Sequence, residues 1–316
     1  MDNVKCIDRI GQPFYYVAQE QGYFREEGID FDLITGMPSY CAGKMLATDY
    51  HSMDSFASAD SSISMQLMSE QVPVFVAGAV LSNVVALASL SENPINEPGD
   101  LEGKTVGVAQ GSGEAMLLPI LLKEHGVDIT QVHISHPGPG IGKTIEQAPQ
   151  LLINGYFDAI GGYVTGTIQD ARYLANQRGT DVEVMRYADF GIEAYEMCLL
   201  FHEAMIKENP DLVRRILRAV FKGVAWLVDH PERAAEILHE VHPSVPLELA
   251  SMIVSQLAES VDRPEVAGNG LGWTDQRKWE RLKEQLIRHR RIVGWSAPLA
   301  VTNQFLEHGL LPARVS

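Results

Sequence analysis

Apolar and polar positions change period repeatedly along the first ninety residues. Val4–Ile10 is a β-type run that Gly11-Gln12-Pro13 breaks, and Phe14–Gln21 takes up helical spacing and ends near Gly22. Asp30–Ile34 alternates polar and apolar side chains, the period of a half-buried strand. After a turn at Gly36-Met37-Pro38-Ser39, the pattern predicts a helix at Tyr40–Ala47, a strand at Asp54–Ser58, a helix at Ser61–Ser69 and a strand at Val72–Ala79. Strands alternating with helices predict an α/β fold with a largely parallel sheet.

Val84–Leu90 is a second apolar run, long enough to cross between two lobes, and Ser91–Gly103 is rich in turn formers. A new α/β pattern follows. It predicts strands at Thr105–Ala109, Val132–Ser135, Phe157–Gly161 and Val182–Arg186, with helices at Glu114–His125 and Ile145–Asn154. Glu196–His202 is apolar again and suits a return crossing. The rest reads as helical. Asn209-Pro210 is a cap followed by a first-turn proline. Leu212, Ile216, Leu217, Val220, Val224 and Leu227 then recur at helical spacing. Further helices are expected at Pro231–Val241, Pro246–Ala258, Thr274–Ile292 and Val301–His308.

The chain's 316 residues, 46% of them hydrophobic, suffice for two cored units. The expected division is a discontinuous first lobe (1–88 and 203–316), a second lobe (89–202) and a cleft between them. A net charge of −16 makes nucleic acid and anionic membranes poor partners for the surface as a whole. No run reaches the roughly 18 apolar residues of a membrane span. The start, MDNVKCIDRIGQPFYY, lacks the pattern of a leader; the expectation is a mature periplasmic or exported, membrane-tethered form, with a cytoplasmic protein as the alternative. Three cysteines make no complete disulfide framework. Cys6 and Cys198 sit in apolar runs and read as core; Cys41 lies in a turn-like segment. Thiols of this kind fit the cytoplasm better than an oxidising compartment.

Several segments together carry a family resemblance. GQPFYYVAQEQGYFREEGIDFDLITG (11–36) is similar to the opening of the nitrate, sulfonate, taurine and pyrimidine-precursor class of substrate-binding proteins. DSFASADSSISMQLMSEQVPVFVAG (54–78), DLEGKTVGVAQGSG (100–113), INGYFDAIGGY (153–163) and ENPDLVRRILRAVFKGVAWLVDHPERAAEIL (208–238) resemble later segments in order. KMLATDYHSMD (44–54) departs from the pattern, with His51 inserted and the usual glycine missing. The resemblance implies a two-lobed type-two periplasmic-binding fold: a mixed sheet flanked by helices in each lobe, a two-strand hinge and a helical tail. It also implies a ligand held at the strand C-termini, where open α/β sheets bind.

The loops after the strands are therefore the candidate site. In the first lobe, Arg9 either meets an anionic group or pairs with Asp8 or Asp32. Gln12, Phe14, Tyr15 and Tyr40 offer an amide and aromatic faces to a planar ligand, or pack within their own helices. Ser39 shares the turn of Tyr40. Asp60 and Ser61 stand at a helix start and either cap it, line the pocket, or do both. In the second lobe, Gly111, Ser112 and Gly113 open a helix whose amides suit an anion, or form an ordinary turn. Pro137, Gly138 and Tyr163 lie in the other cleft loops. Glu193, before the return crossing, either accepts bonds from an amine or amidine or is a solvated acid.

Other chemistries fit less well. HPGPGIGKT (136–144) ends like a phosphate loop but has Pro137 where the spacing needs glycine. His133/His136 and His239/His242 lack partners at zinc spacing. Cys41 with His51 is the one candidate thiolate–imidazole pair. The expectation is a non-catalytic binder, with no cofactor and no metal, that closes about its hinge on a small planar organic molecule. The molecule is an aromatic, a sulfonate or carboxylate anion, or a pyrimidine. The expected partners are the permease and ATPase of an importer, with the binder monomeric. An enzyme on the same fold is the alternative.

Overall fold

The fold is described from a computed structural model at residues 1–8, 11–48, 51–136, 144–261 and 264–312, with the backbone alone at 144–147. In chain order the elements begin β1 (Asp2–Ile7), α1 (Pro13–Glu20), α2 (Tyr23–Glu26), β2 (Ile29–Ile34), α3 (Ser39–Leu46), β3 (Ser55–Ala59), α4 (Ser61–Ser69) and β4 (Val74–Ser82). They continue with β5 (Val85–Leu90), β6 (Thr105–Gly107), α5 (Gly113–Glu124), β7 (His133–Ser135), α6 (Thr144–Ile153), β8 (Ala159–Tyr163), α7 (Thr167–Asn176), β9 (Val182–Arg186) and β10 (Tyr195–His202). The tail is α8 (Glu203–Glu208), α9 (Pro210–Asp229), α10 (Pro231–Val241), α11 (Leu247–Val261), α12 (Pro264–Asn269) and α13 (Gln276–Arg288).

Among the described residues the strands form two five-stranded sheets, ordered β2-β1-β3-β10-β4 and β7-β6-β8-β5-β9. Each is mixed rather than largely parallel. β10 runs antiparallel to β3 and β4, and β5 antiparallel to β8 and β9. The cause is the crossing itself: a chain that leaves one sheet and returns must run against its neighbours. Each sheet with its helices is one lobe.

The chain changes sheet at residues 83–84 and again between β9 and β10, because all of β5 lies in the second sheet and all of β10 in the first. The expected boundaries at 88/89 and 202/203 therefore cut into β5 and assign β10 to the wrong sheet. The two crossings are bonded to each other. Asn83 N donates to Ala194 O at 2.8 Å, and Ala194 N donates to Asn83 Oδ1 at 3.2 Å. Asn83 has φ 61°, a conformation asparagine tolerates better than most side chains.

The tail helices cover both lobes. α9 packs its apolar stripe on α1 so closely that a Cβ on Gly223 would stand 2.5 Å from Phe14 O. Trp279 of α13 is fully buried and stacks on Tyr195, ring centroids 5.6 Å apart. The expected helix at Val301–His308 does not form. Val76 N donates to Ala300 O and Thr302 N to Val76 O, both at 2.9 Å, which pins this segment to the edge of β4 as an extended bridge. α7, which the sequence reading did not predict, buries Ile168, Ala171 and Ala175 on one face. The cores are not fully separate. One apolar cluster runs from Ile63 and Met65 of the first lobe to Leu117 and Val106 of the second.

Candidate functional site

β3 ends at Ala59, and the next residue turns the chain into α4. Asp60 caps that helix, accepting from Ile63 N at 2.9 Å and from Ser62 Oγ at 2.5 Å. Such a cap satisfies amides that the first helical turn leaves unpaired. Across the junction Ser112 caps α5, accepting from Ala115 N at 3.3 Å while donating to Ala109 O at 2.6 Å. The two helix starts meet. A Cβ on Gly113 would stand 2.7 Å from Asp60 Cγ, so glycine alone fits there. Tyr163, at the end of β8, donates to Asp60 Oδ2 at 3.3 Å. Asp60 thus brings a carboxylate to the positive end of α5 as well as to that of its own helix.

Two further acids complete this floor. Glu114, in the first turn of α5, is 4% exposed, and Glu196, on β10, is 2% exposed. Glu196 Oε1 has no hydrogen-bond partner. Burial pushes the Glu196 carboxyl well above its ordinary range, and the Asp60 and Glu114 charges push the same way; a Tyr163 hydrogen bond and the Lys278 charge act against them. Burial also raises Asp60, opposed by its bonds to Ser62, Ile63 and Tyr163. Lys278 of α13 is 4% exposed; its Nζ bonds Ser82 Oγ and lies 4.5 Å from the Tyr195 ring centroid. Beside the floor, Asp8 at the end of β1 accepts from Ser58 Oγ at 2.8 Å.

The hydroxyls here serve the fold. Ser61 Oγ accepts from Tyr195 N at 3.0 Å, which ties α4 to the return crossing, and Ser62 and Ser112 act in caps. The arrangement offers acceptors, two carboxyls that burial pushes upward and a phenol, a set suited to binding a hydrogen-bond-donating molecule.

The structure brings together Asp60, Ser61, Ser112, Gly113 and Tyr163 of the residues singled out from sequence, with Gly111 exposed beside them. Gln12 is nearly buried as the residue preceding α1. Phe14 and Tyr15 lie elsewhere: both are fully buried in the first-lobe core, Phe14 under α9 and Tyr15 against Phe31 and Phe56. Tyr40 is held at the far end of α4, donating to Glu70 Oε2 at 2.6 Å, and Ser39 precedes it on the same helix. Glu193 is half-exposed and paired with Arg281 at 2.5 Å, so it is committed outside the floor. Arg9, Pro137 and Gly138 lie outside the described residues, as does most of the glycine-rich string before Thr144.

Sequence reasoning singled out neither Glu114 nor Glu196. Each sits inside a regular element, where a lone acid looks like a surface residue; the one signal was the acid interrupting the apolar run of β10. The other candidate chemistries have structural occupations. His51 Nδ1 lies 3.1 Å from Ser55 Oγ, while Cys41 is exposed on α3. His136 Nδ1 lies 3.0 Å from Val108 O, His239 Nδ1 2.7 Å from Val245 O, and His242 Nε2 2.8 Å from Tyr16 Oη.

Comparison with known proteins agrees with this architecture. The family model described as "NMT1/THI5 like" matches residues 12–234. A formylaminopyrimidine-binding protein of Halalkalibacterium halodurans is 28% identical over 283 residues, 87% of this chain and 81% of that one. The riboflavin-binding protein RibY of Chloroflexus aurantiacus is 27% identical over 305 residues, 93% and 82% of the two chains. An enzyme also aligns: the 4-amino-5-hydroxymethyl-2-methylpyrimidine phosphate synthase of Aspergillus parasiticus, 24% identical over 72% of this chain and 66% of its own. Among solved structures, the alkanesulfonate-binding protein SsuA of Xanthomonas axonopodis pv. citri superposes with a TM-score of 0.69. It is 11% identical, covering 93% of this chain and 95% of that one.

Proposed function

The chain belongs to the NMT1/THI5-like family, and on that premise we propose that it is a substrate-binding protein that captures a small organic molecule between its lobes for import. The observation that carries this reading is the meeting of the α4 and α5 helix starts, with Asp60 of one lobe against Gly113 and Tyr163 of the other. A molecule bound beside that contact touches both lobes only when they are closed, so its binding energy favours the closed state. The reading has the lobes close about the paired crossings at Asn83 and Ala194 and takes as partners a permease with its ATPase, which requires an exported protein.

The ligand class follows from the floor. Burial, and then the charges of Asp60 and Glu114, already push the Glu196 carboxyl towards its protonated form, so an added anion would meet the same repulsion. This supports an uncharged or cationic nitrogen compound over a sulfonate. Formylaminopyrimidine and riboflavin, named for two relatives, are nitrogen heterocycles.

Catalysis is the second reading, supported by the synthase relative. One experiment separates the two. The full chain is screened by thermal shift with an aminopyrimidine, riboflavin, nitrate and ethanesulfonate, and bound material is recovered for mass spectrometry. The expected result is a raised Tm with one nitrogen heterocycle, recovered unchanged. A chemically altered ligand contradicts the binder reading.

A further inference from the structure

A cavity of about 540 Å³ lies at the hinge edge of the two sheets, and neither Asp60 nor Tyr163 lines it. Ser82 ends β4 and Arg186 ends β9, the outermost strands on the side where the chain crosses between sheets, and both line the cavity with Asn83 of the first crossing. The other walls are Ala188 and Asp189, in the turn after β9, and the tail helices α11, α12 and α13. Small-molecule pockets span roughly 300–1,000 Å³, so the space is of that order.

Two cations reach this cavity from different parts of the fold. Lys278 of α13 is 4% exposed, and its Nζ bonds Ser82 Oγ above the Tyr195 ring. Arg186 of the second lobe is half-buried, and its Nη1 donates to Asn83 O across a long 3.5 Å. Four acids share the walls. Glu193 is engaged by Arg281. Asp189, Glu259 and Glu265 form no ion pair among the described residues. Glu265 Oε1 accepts from Tyr195 Oη at 3.2 Å and Glu259 Oε2 from Gln256 Nε2 at 3.3 Å, so neutral donors orient these two. A nearly buried ammonium, a guanidinium and three acids around one space are suited to a molecule bearing both signs of charge.

We propose that this cavity is a second ligand site, apart from the cleft of the capture reading, for a small molecule with one carboxylate and more than one ammonium group. That is the chemistry of a basic amino acid or a short basic peptide. Its carboxylate lies between Arg186, whose planar fork suits it, and Lys278. Its ammonium groups lie against Asp189, Glu259 and Glu265. Three acids against two cations leave the walls one negative charge in excess, and lysine carries one positive charge in excess. A diamine leaves both cations of the site unmatched, and a plain carboxylate meets the acids with nothing to offer them.

Isothermal titration of the full chain tests this, with L-lysine, lysyl-lysine, 1,5-diaminopentane and hexanoate as probes. The expected result is binding of lysine or of lysyl-lysine about tenfold or more tighter than of diaminopentane, and no heat with hexanoate. The tighter of the first two identifies the free amino acid or the peptide as the source. Arg186→Gln is expected to weaken that binding about tenfold, and Glu265→Gln, which keeps an acceptor for Tyr195, about fivefold. Discrimination among the four probes by the unmodified protein stands as a test even if a variant folds poorly. Binding of neither lysine nor lysyl-lysine overturns the proposal, as does equal affinity for diaminopentane or hexanoate. Affinity unchanged in either variant overturns it too, since the probe then sits elsewhere.

Discussion

Tyr163 Oη donates to Asp60 Oδ2 at 3.3 Å, a side-chain hydrogen bond that runs from the last residue of a second-lobe strand to the cap of a first-lobe helix. Bonds of this kind hold the lobes together only while they are closed. Tyr163→Phe keeps the ring and removes the donor. The expected outcome is a ligand affinity lower by about fivefold, from the loss of about 1 kcal/mol, with the fold intact by circular dichroism.

Gly113 gives a sharper test of the same closure. Its missing Cβ leaves room for the Asp60 carboxylate, 2.7 Å from where that carbon would stand. Gly113→Ala forces the two helix starts apart. Overpacking of this order costs about 1–3 kcal/mol, and here it falls on the closed state. Affinity measured by titration is expected to drop while the Tm of the unliganded protein changes little.

The pH dependence follows from Glu196. Its folded-state pKa lies well above the ordinary glutamate value of 4.5. The folded protein therefore holds a proton that the unfolded chain has already released, and stability falls as pH rises from that ordinary value towards the folded-state one. Asp60, also raised, acts in the same direction. Glu196→Gln removes the larger of these effects. The expected outcome is a flatter profile of unfolding free energy against pH and a gain of about 1–3 kcal/mol at neutral pH, read by denaturant titration.

Glu193 separates the sequence reading from the structural one. Sequence places it in a cleft loop; the structure pairs it with Arg281 at the surface. Exposed ion pairs contribute about 0–1 kcal/mol. Glu193→Gln is expected to leave ligand affinity unchanged and Tm nearly so, whereas a tenfold loss of affinity would return it to the site.

The alternation of strands and helices was legible because each element is short and has one buried face. Ser61–Ser69, Val182–Arg186 and Pro231–Val241 form within the bounds the periodicity predicts. Asp60, Ser61 and Gly113 were legible because strand-end turns of an α/β sheet point to one side. Glu114 and Glu196 were not. Periodicity reports which face of an element is buried, and does not report that a second lobe will close over it. Phe14 and Tyr15 are packed in the first-lobe core for a related reason. Their helix is covered by α9, some two hundred residues later in the chain, through the close approach at Gly223. The apolar cluster shared by both lobes was equally invisible, since it joins elements far apart in the chain.

Hinge closure on a ligand is the claim on which the rest depends, and a distance between the lobes measures it. Cys41 is the exposed native thiol of the first lobe, with Cys6 and Cys198 buried, and Tyr156 of the second lobe is 69% exposed. Spin labels on Cys41 and on the thiol introduced by Tyr156→Cys report that distance by pulsed electron resonance. The account predicts a broad distribution without ligand that collapses to one narrow population when a titration-verified nitrogen heterocycle saturates the protein. An identical distribution with the ligand bound contradicts it.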